Sequence, residues 1–439
     1  MNTLNLTILG GDGGVAKALL SLLNNTYQDQ KNPIHEKIKN SHIHLVDISQ
    51  NKMKYYNSYF QNIKNNIFFH KFDFQRKDEL INHLMRTNTT IVIDVSTVDS
   101  IETIKCCNEL GINYINTAIE TPSLPKDDFN QGTEILNSYY NFEKVRKNFS
   151  NITGVIGSGM NPGIVQWMAI DLMKQSSNEM PRACYIIERD STFYSKKSKI
   201  KKNTIYTSWS THSFIDEIIK DYPLFVRNHK PYILRKNSID MNFQVSLGDI
   251  QFTGCLVPHE EVLSLGKLYD IELGFIYKFC DYTSEFIKYM VSEKSDFSKI
   301  NCKVIDPMDA EVEGSDLVGV LLVYKDRERY MYNVTTNKEA FSKYQVSATY
   351  FQVACGIYGA LSSVILDDLP QGIFYVDELI LNTNTSYGEY VSYFMRDFIV
   401  GKNAKPDGLL LNRLQKSKSS DVQLYVKEFE TLKVKQKII

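Results

Sequence analysis

ILGGDGGVAKALL, residues Ile8 to Leu20, joins the apolar run LNLTIL to a segment of helical spacing, and the join is made of glycines. Gly11-x-Gly13-x-x-Ala16, directly after a strand and opening a helix, has the spacing of a dinucleotide fingerprint. Its glycines let the backbone approach a pyrophosphate, which rests on the positive N-terminus of the helix. Glycine-rich turns of this kind also occur in unrelated α/β folds, so the surroundings decide. Outward from it run HIHLVDI, then TTIVIDVS, a helical stretch TIKCCNEL, and GINYINTAI. Strands alternating with helices predict a parallel sheet with helices on both faces. Asp47, which ends the second strand, is placed to bind ribose hydroxyls. It lies beyond the usual spacing of about 20 residues, and the inserted KNPIHEKIKN accounts for the difference. An acid there favours NAD over NADP, because it repels a 2′-phosphate. Asp94-Val-Ser96 ends the strand IVIDVS, on the side of an open sheet where ligands bind.

At 439 residues the chain exceeds the size at which one core stops growing. From about Ala183 the pattern changes to longer β-prone runs, ACYIIERD, MNFQVSLGDIQFTGCLV and SDLVGVLLVY. The expectation is an α/β fold: an N-terminal Rossmann-type parallel sheet in residues 1–160, and a second, α+β catalytic domain on a mixed or antiparallel sheet in 161–345. Residues 346–439 are expected to form C-terminal helices that partly return to the first domain, with a basic tail. YFQVACGIYGALSSVI reads as a buried helix or an interface. Lys plus Arg number 50 against 51 for Asp plus Glu, so overall charge points to neither nucleic acid nor an anionic membrane. Seven cysteines without Cys-x-x-Cys argue against a disulfide framework and a structural zinc site, and the N-terminus has no signal-peptide pattern. The expectation is therefore a soluble cytoplasmic protein without a metal site.

A second glycine-rich turn, GSGMNPGIVQW from Gly157 to Trp167, follows a buried strand and opens an apolar helix. Asn161 reads as its N-cap, with Pro162 in the first turn. Taken with what lies around it, this turn resembles the homospermidine synthases of the saccharopine-dehydrogenase-like group. IVIDVS and INTAIETP match that family's acidic strand ends, through Asp94 and Glu120, and Asn161-Pro162-Gly163 matches its G-A-N-P-G. ERDS, with Glu188, resembles E-R-D-T; SWSTHSFIDE keeps Trp209 and Glu217; GCLVPHEEVLSL is similar to T-H-x-E-x-I-S-L; GSDLVGVLL keeps Asp316; SATYFQV resembles N-A-T-G-L-Q-V. The resemblance implies an NAD-dependent enzyme, generally homodimeric. Such an enzyme oxidises putrescine or a related amine to an imine, transfers the aminoalkyl group to a second amine and reduces the new imine. It further implies catalytic roles for Asn161, Glu188, Trp209, Glu217, Asp316 and Glu120. Carboxylates with an aromatic face suit a dication.

The chain departs from that pattern after Glu217, where a shorter IIKDYPLFVRNHKPYILRKN stands. The family's R-P-T-x-H-Y-A-Y-H-P histidine segment falls on GFIYKFCDYTS, which has Cys280 near the aligned position and a new Lys278. His212 and His259 are the nearest replacements in sequence. Lys278 or Arg227 would suit a carboxylate-bearing partner. Two rival expectations follow. One is reductive condensation of an amine or amino acid with an aldehyde by NAD(P)H, as in carboxyspermidine or saccharopine dehydrogenases. The other is a dinucleotide-binding protein without turnover.

Overall fold

The computed structural model describes residues 3–51, 53–122, 132–176, 179–293, 295, 297 and 300–416. Its first sheet contains β1 (Leu4–Leu9), β2 (Ser41–Asp47), β3 (Ile67–Lys71), β4 (Ile91–Asp94), β5 (Asn113–Asn116) and β6 (Thr153–Ile156). Every pair is parallel, in the order β3-β2-β1-β4-β5-β6, and the strand Gly372–Tyr375 extends the sheet beyond β6. That is the doubly wound order, in which ligands sit outside the carboxyl ends of the strands. Burial explains the apolar runs: Leu6, Ile8 and Leu9 of β1 and Val92 and Ile93 of β4 are fully inaccessible, as in sheets covered on both faces. The insertion before β2 folds as the short helix His35–Lys39, anchored by the buried Ile34 and Ile38.

The second sheet is mixed. Its central strand, β7 (Ala183–Asp190), pairs parallel with Glu272–Lys278 and antiparallel with Ser315–Val323. Strands Glu328–Thr336 and Ile399–Asn403 continue it on one side, and Leu224–Arg227, Lys230–Ile233 and the hairpin Asn242–Val257 complete the other. Alternation along β7 sends Cys184 and Ile186 into the core shared with the first domain, and Tyr185 and Ile187 into a separate core on the far face. Glu188 and Asp190 follow Ile186 on the face that meets the first domain.

The C-terminal segment returns to both domains. Helix Ala348–Leu366 packs on the first helix, Gly14–Gln28, and strand Gly372–Tyr375 joins the first sheet. Strand Ile399–Asn403 joins the second sheet, and helix Leu410–Lys416 seats Leu410 N–H on Tyr185 Oη and Glu272 Oε1 at 2.9 and 2.7 Å. The apolar run from Tyr350 to Ile365 is therefore core of this chain; helix Ala348–Leu366 is long and apolar enough to cross a membrane, and 72% of its apolar window is buried inside the fold. The basic tail from 417 lies outside the described residues.

The turn after β6 differs from the sequence reading. The helix starts at Ile164 with Gly163 as N-cap, so Asn161 is not the cap and Pro162 is not in the first turn. Gly163 sits at φ 130°, and a Cβ there would lie 2.2 Å from Gly159 O, so only glycine closes this turn. The Asn161–Pro162 peptide is cis, and Gly159 N–H donates to Pro162 O at 2.8 Å. Asn161 reaches β7 instead of the helix, through its Nδ2 to Glu188.

Candidate active site

The C-terminal ends of β1 and β2 form one side of the candidate site. Gly10 takes φ +81°, and Gly10 and Gly11 N–H donate to Val46 O at 3.1 and 3.0 Å, folding the loop over the end of β2. Gly13 caps helix Gly14–Gln28 without a side-chain hydrogen bond. A Cβ on Gly13 would meet only Gly10 O, at 3.1 Å, so its outer face stays open to a phosphate. Ala16 is fully buried, allowing the helix to lie close to the sheet. Gly14 serves another purpose: a Cβ there would lie 2.3 Å from the Tyr350 ring, so it admits the C-terminal helix. Asp47 stands at the strand end, accepting from Asp12 N–H at 3.1 Å and Ser49 N–H at 3.0 Å. Asp94 is buried and fully engaged. Its Oδ1 accepts from Ser96 N–H and Oγ at 3.1 and 2.6 Å, and its Oδ2 from Tyr114 at 2.9 Å. Asp94 and Ser96 thus fix the turn after β4. The loop and the half-buried Asp47 fit a dinucleotide, whereas Asp94 is closed off in the core with both oxygens engaged.

Facing these strand ends, β7 and its neighbours assemble acids. Register sets Asp190 opposite Asp316, and Glu188 between Tyr277 and Val318. Asn161 Nδ2 donates to Glu188 Oε2 at 2.6 Å, linking the turn after β6 to the second sheet. Asp190 accepts from Ser208 Oγ and, at 2.8 Å, from Thr192 N–H. Thr349 Oγ1 donates to Asp316 Oδ2 at 2.6 Å, while the buried Asp316 Oδ1 has no hydrogen-bond partner among the described residues. Burial raises the Glu188, Asp190 and Asp316 carboxyls, and mutual repulsion raises Glu188 and Asp316 further. Tyr277, kept protonated by burial beside these three acids, accepts from Trp209 Nε1 at 3.2 Å. Trp209 is half-buried, its ring edge on Phe214.

A second group adjoins the first. Glu217, on the helical turn Asp216–Lys220, carries a buried Oε2 3.9 Å from His259 Nε2. His259 Nδ1 donates to Glu261 Oε2 and its ring lies edge-on to Phe275, with centroids 4.7 Å apart. Burial pushes Glu217 up to about 8 and Glu260 to about 7. Burial opposes the charge on His259, but Glu261 and Glu217 override it and raise the imidazole to about 9. Glu260 Oε1 accepts from Ile119 N–H at 2.9 Å, docking the second domain on the loop after β5. Glu120, on that loop, is raised to about 7 by burial, with Asp94 and Asp216 adding repulsion.

The structure thus brings Asn161, Glu188, Asp316, Trp209 and Glu217 to one place, with Glu120 at its edge. Sequence reasoning passed over Asp190, Tyr277, Glu260 and Glu261, and named His259 only beside His212 as a replacement for the missing histidine. The histidine of this site is His259. Cys280 is a buried thiol raised to about 11, first by burial, at the start of helix Asp281–Ser292. His212 is 75% exposed and pairs with Asp216 at 3.1 Å. Lys278 pairs with Asp281 at 3.3 Å and follows Tyr277 on the strand, so it projects to the other face of the sheet. Arg227 lines a small cavity with Phe225 and Tyr232, on the hairpin away from Glu188. The two cations that the sequence offers for a carboxylate, Lys278 and Arg227, therefore have partners outside the acid group. Among the described residues no group of three or more His, Cys, Asp or Glu has metal-site geometry.

By sequence the chain matches no family model and no curated protein. By structure it is similar to the apo saccharopine dehydrogenase (L-Glu forming) of Saccharomyces cerevisiae, at 11% identity over 91% of this chain and 99% of that one, with a TM-score of 0.58. It also matches the UDP-N-acetylglucosamine 3-dehydrogenase of Acidithiobacillus ferrooxidans at 7% identity, over 76% of this chain and 77% of that one, with a TM-score of 0.33. With its parallel Rossmann-type sheet and mixed second sheet, the chain has the saccharopine dehydrogenase-like fold.

Proposed function

We propose that the chain is an NAD-dependent amine oxidoreductase of the homospermidine synthase type, acting on putrescine or a related diamine as a homodimer. The observation that carries this is the buried acid group Glu188, Asp190 and Asp316 with the part-buried Glu217 beside it, in which two buried oxygens, Asp316 Oδ1 and Glu217 Oε2, have no hydrogen bond among the described residues. As carboxylates, Glu188, Asp190 and Asp316 are unfavourable together, and a bound cation would offset their charge. An alkyl diamine offers two ammonium groups on an apolar stem, matching acids flanked by Trp209, Tyr277 and Phe275.

The glycine loop, Asp47 and the N-terminus of helix Gly14–Gln28 would hold the dinucleotide, which when bound supplies reversible hydride exchange at the carbon bearing the amine. The protein's own groups handle charge and protons. Glu188, Asp190 and Asp316 hold one ammonium group, Asn161 fixes Glu188, and Trp209 shields the pocket from water. An amine must lose a proton before its carbon is oxidised or its nitrogen attacks. Glu217, raised to about 8, would take and return that proton once a bound ammonium group ionises it, with His259, raised to about 9, as its charged neighbour.

The test is incubation with NAD and putrescine, following product mass, ammonia and absorbance of the reduced cofactor together. Homospermidine and ammonia without standing NADH is the expected result. Turnover only with an amino acid, an aldehyde and NAD(P)H would overturn it in favour of reductive condensation, a reading that the positions of Lys278 and Arg227 do not favour.

A further inference from the structure

The glycine loop carries an acid that the fingerprint does not require. Asp12 stands between Gly11 and Gly13, and its N–H donates to Asp47 Oδ2 at 3.1 Å. Its carboxylate accepts from Met53 N–H at 2.8 Å and Ser49 Oγ at 3.0 Å. Since Ser49 N–H donates to Asp47 Oδ1 at 3.0 Å, the two carboxylates border one turn from either side of Ser49. Tyr56, whose hydroxyl donates to Gly11 O at 3.1 Å, feels the charge of both, and of Asp306 from the second domain.

We propose that Asp12 is a second determinant of cofactor choice, one that excludes a 2′-phosphate without holding the ribose. This rests on the dinucleotide reading above. An acid ending β2 has two tasks: it accepts from the ribose hydroxyls and repels a phosphate placed there. Removing it weakens NAD while admitting NADP. Asp12 is directed at Ser49 and Met53, so it would contribute charge beside the same ribose without a hydroxyl contact of its own. A half-buried carboxylate near a doubly charged phosphate is worth about tenfold in affinity.

Equilibrium titrations of NAD+ and NADP+ into the full chain test this, using Asp12→Asn, Asp47→Asn and the double variant. Asp12→Asn keeps an acceptor for Met53 N–H and serves as the isosteric probe; Asp12→Ser is the second probe in case the first misfolds. The expected result is NADP+ tightened about tenfold by Asp12→Asn, with NAD+ held within about twofold, while Asp47→Asn weakens NAD+. The double variant should gain more on NADP+ than either single variant without the two gains multiplying, because the acids share one hydrogen-bonded turn. Unchanged NADP+ affinity in both Asp12 variants, or parallel loss of both cofactors, would overturn the inference alone. Failure of the wild-type chain to bind either dinucleotide would remove the reading on which it rests.

Discussion

Asp94 and Asp316 are both buried aspartates near strand ends, one in each sheet, yet they are built differently. Every oxygen of Asp94 is used by the protein, through Ser96 and Tyr114. Asp316 keeps Oδ1 without a partner among the described residues, and faces Asp190 across the strand pair and Glu188 nearby. Like charges opposed across a sheet are destabilising, and a buried unpaired carboxyl more so. The first arrangement stabilises a turn. The second holds an unfavourable group of acids in readiness, as expected where a ligand supplies the missing charge. Asp94 serves the fold, while the acids gathered around Asp316 form a group that a bound cation would stabilise.

The largest effect that sharpens this contrast is on turnover. Glu188→Ala removes the acid held by Asn161 and should lower kcat/KM roughly a thousandfold, while NAD affinity stays within about twofold. Turnover assays beside cofactor titrations check it; equal loss of both would place Glu188 in the fold. Next is Asp94→Ala, which strands the buried Tyr114 hydroxyl and should lose about 2 kcal/mol of stability in a denaturant melt. A fall in NAD affinity at unchanged stability would instead assign Asp94 to the cofactor.

The two regions should also respond to pH with opposite signs. Glu217 and Glu260 are raised from 4.5 to about 8 and about 7, so between these limits the unfolded chain binds fewer protons than the folded one. Stability from these groups therefore falls as pH rises from about 4.5 toward 8. His259, raised to about 9, adds to the alkaline loss, since its contribution disappears as pH passes upward from 6.5 through 9. In the first domain the imidazoles of His44, His70 and His83 pack together, with His44 Nδ1 3.0 Å from His70 Nε2. Burial lowers His44 to about 4 and His83 to about 3, so their contribution is lost as pH falls below 6.5. Denaturant melts from pH 5 to 8 should show both limbs, with Glu217→Gln flattening the alkaline one and His83→Leu the acidic one.

The smallest effect concerns the cations outside the site. Lys278→Ala and Arg227→Ala should leave the KM for a diamine within about twofold, since the partly exposed Lys278–Asp281 pair contributes little. A larger change would bring a carboxylate-bearing substrate back into consideration.

The first domain was legible because its signals are local. The alternating apolar runs, the glycines at 11 and 13 and the acid at 47 each act within one strand-turn-helix unit. The acid group was legible only where a motif marked it, as at Glu188, Glu217 and Asp316. Glu260 and Glu261 read in sequence as ordinary acids in the first turn of a helix, where the helix dipole favours them. Only the pairing of Ile250–Val257 beside Glu272–Lys278 carries His259 and its neighbours to Glu217, and no local pattern encodes that register. Asp190 and Tyr277 were hidden for the same reason. The cap at Asn161 was misread because the positive φ of Gly163 moved the helix start two residues onward.

A calorimetric titration of putrescine into the NAD-saturated chain at pH 7, run in two buffers of different ionisation enthalpy, addresses the acid group directly. If Glu217 and Glu260 ionise to receive an ammonium group, binding releases protons in the wild-type chain and fewer in Glu217→Gln. Binding without proton release, or no binding while NAD is held, would contradict a cation site built from these acids.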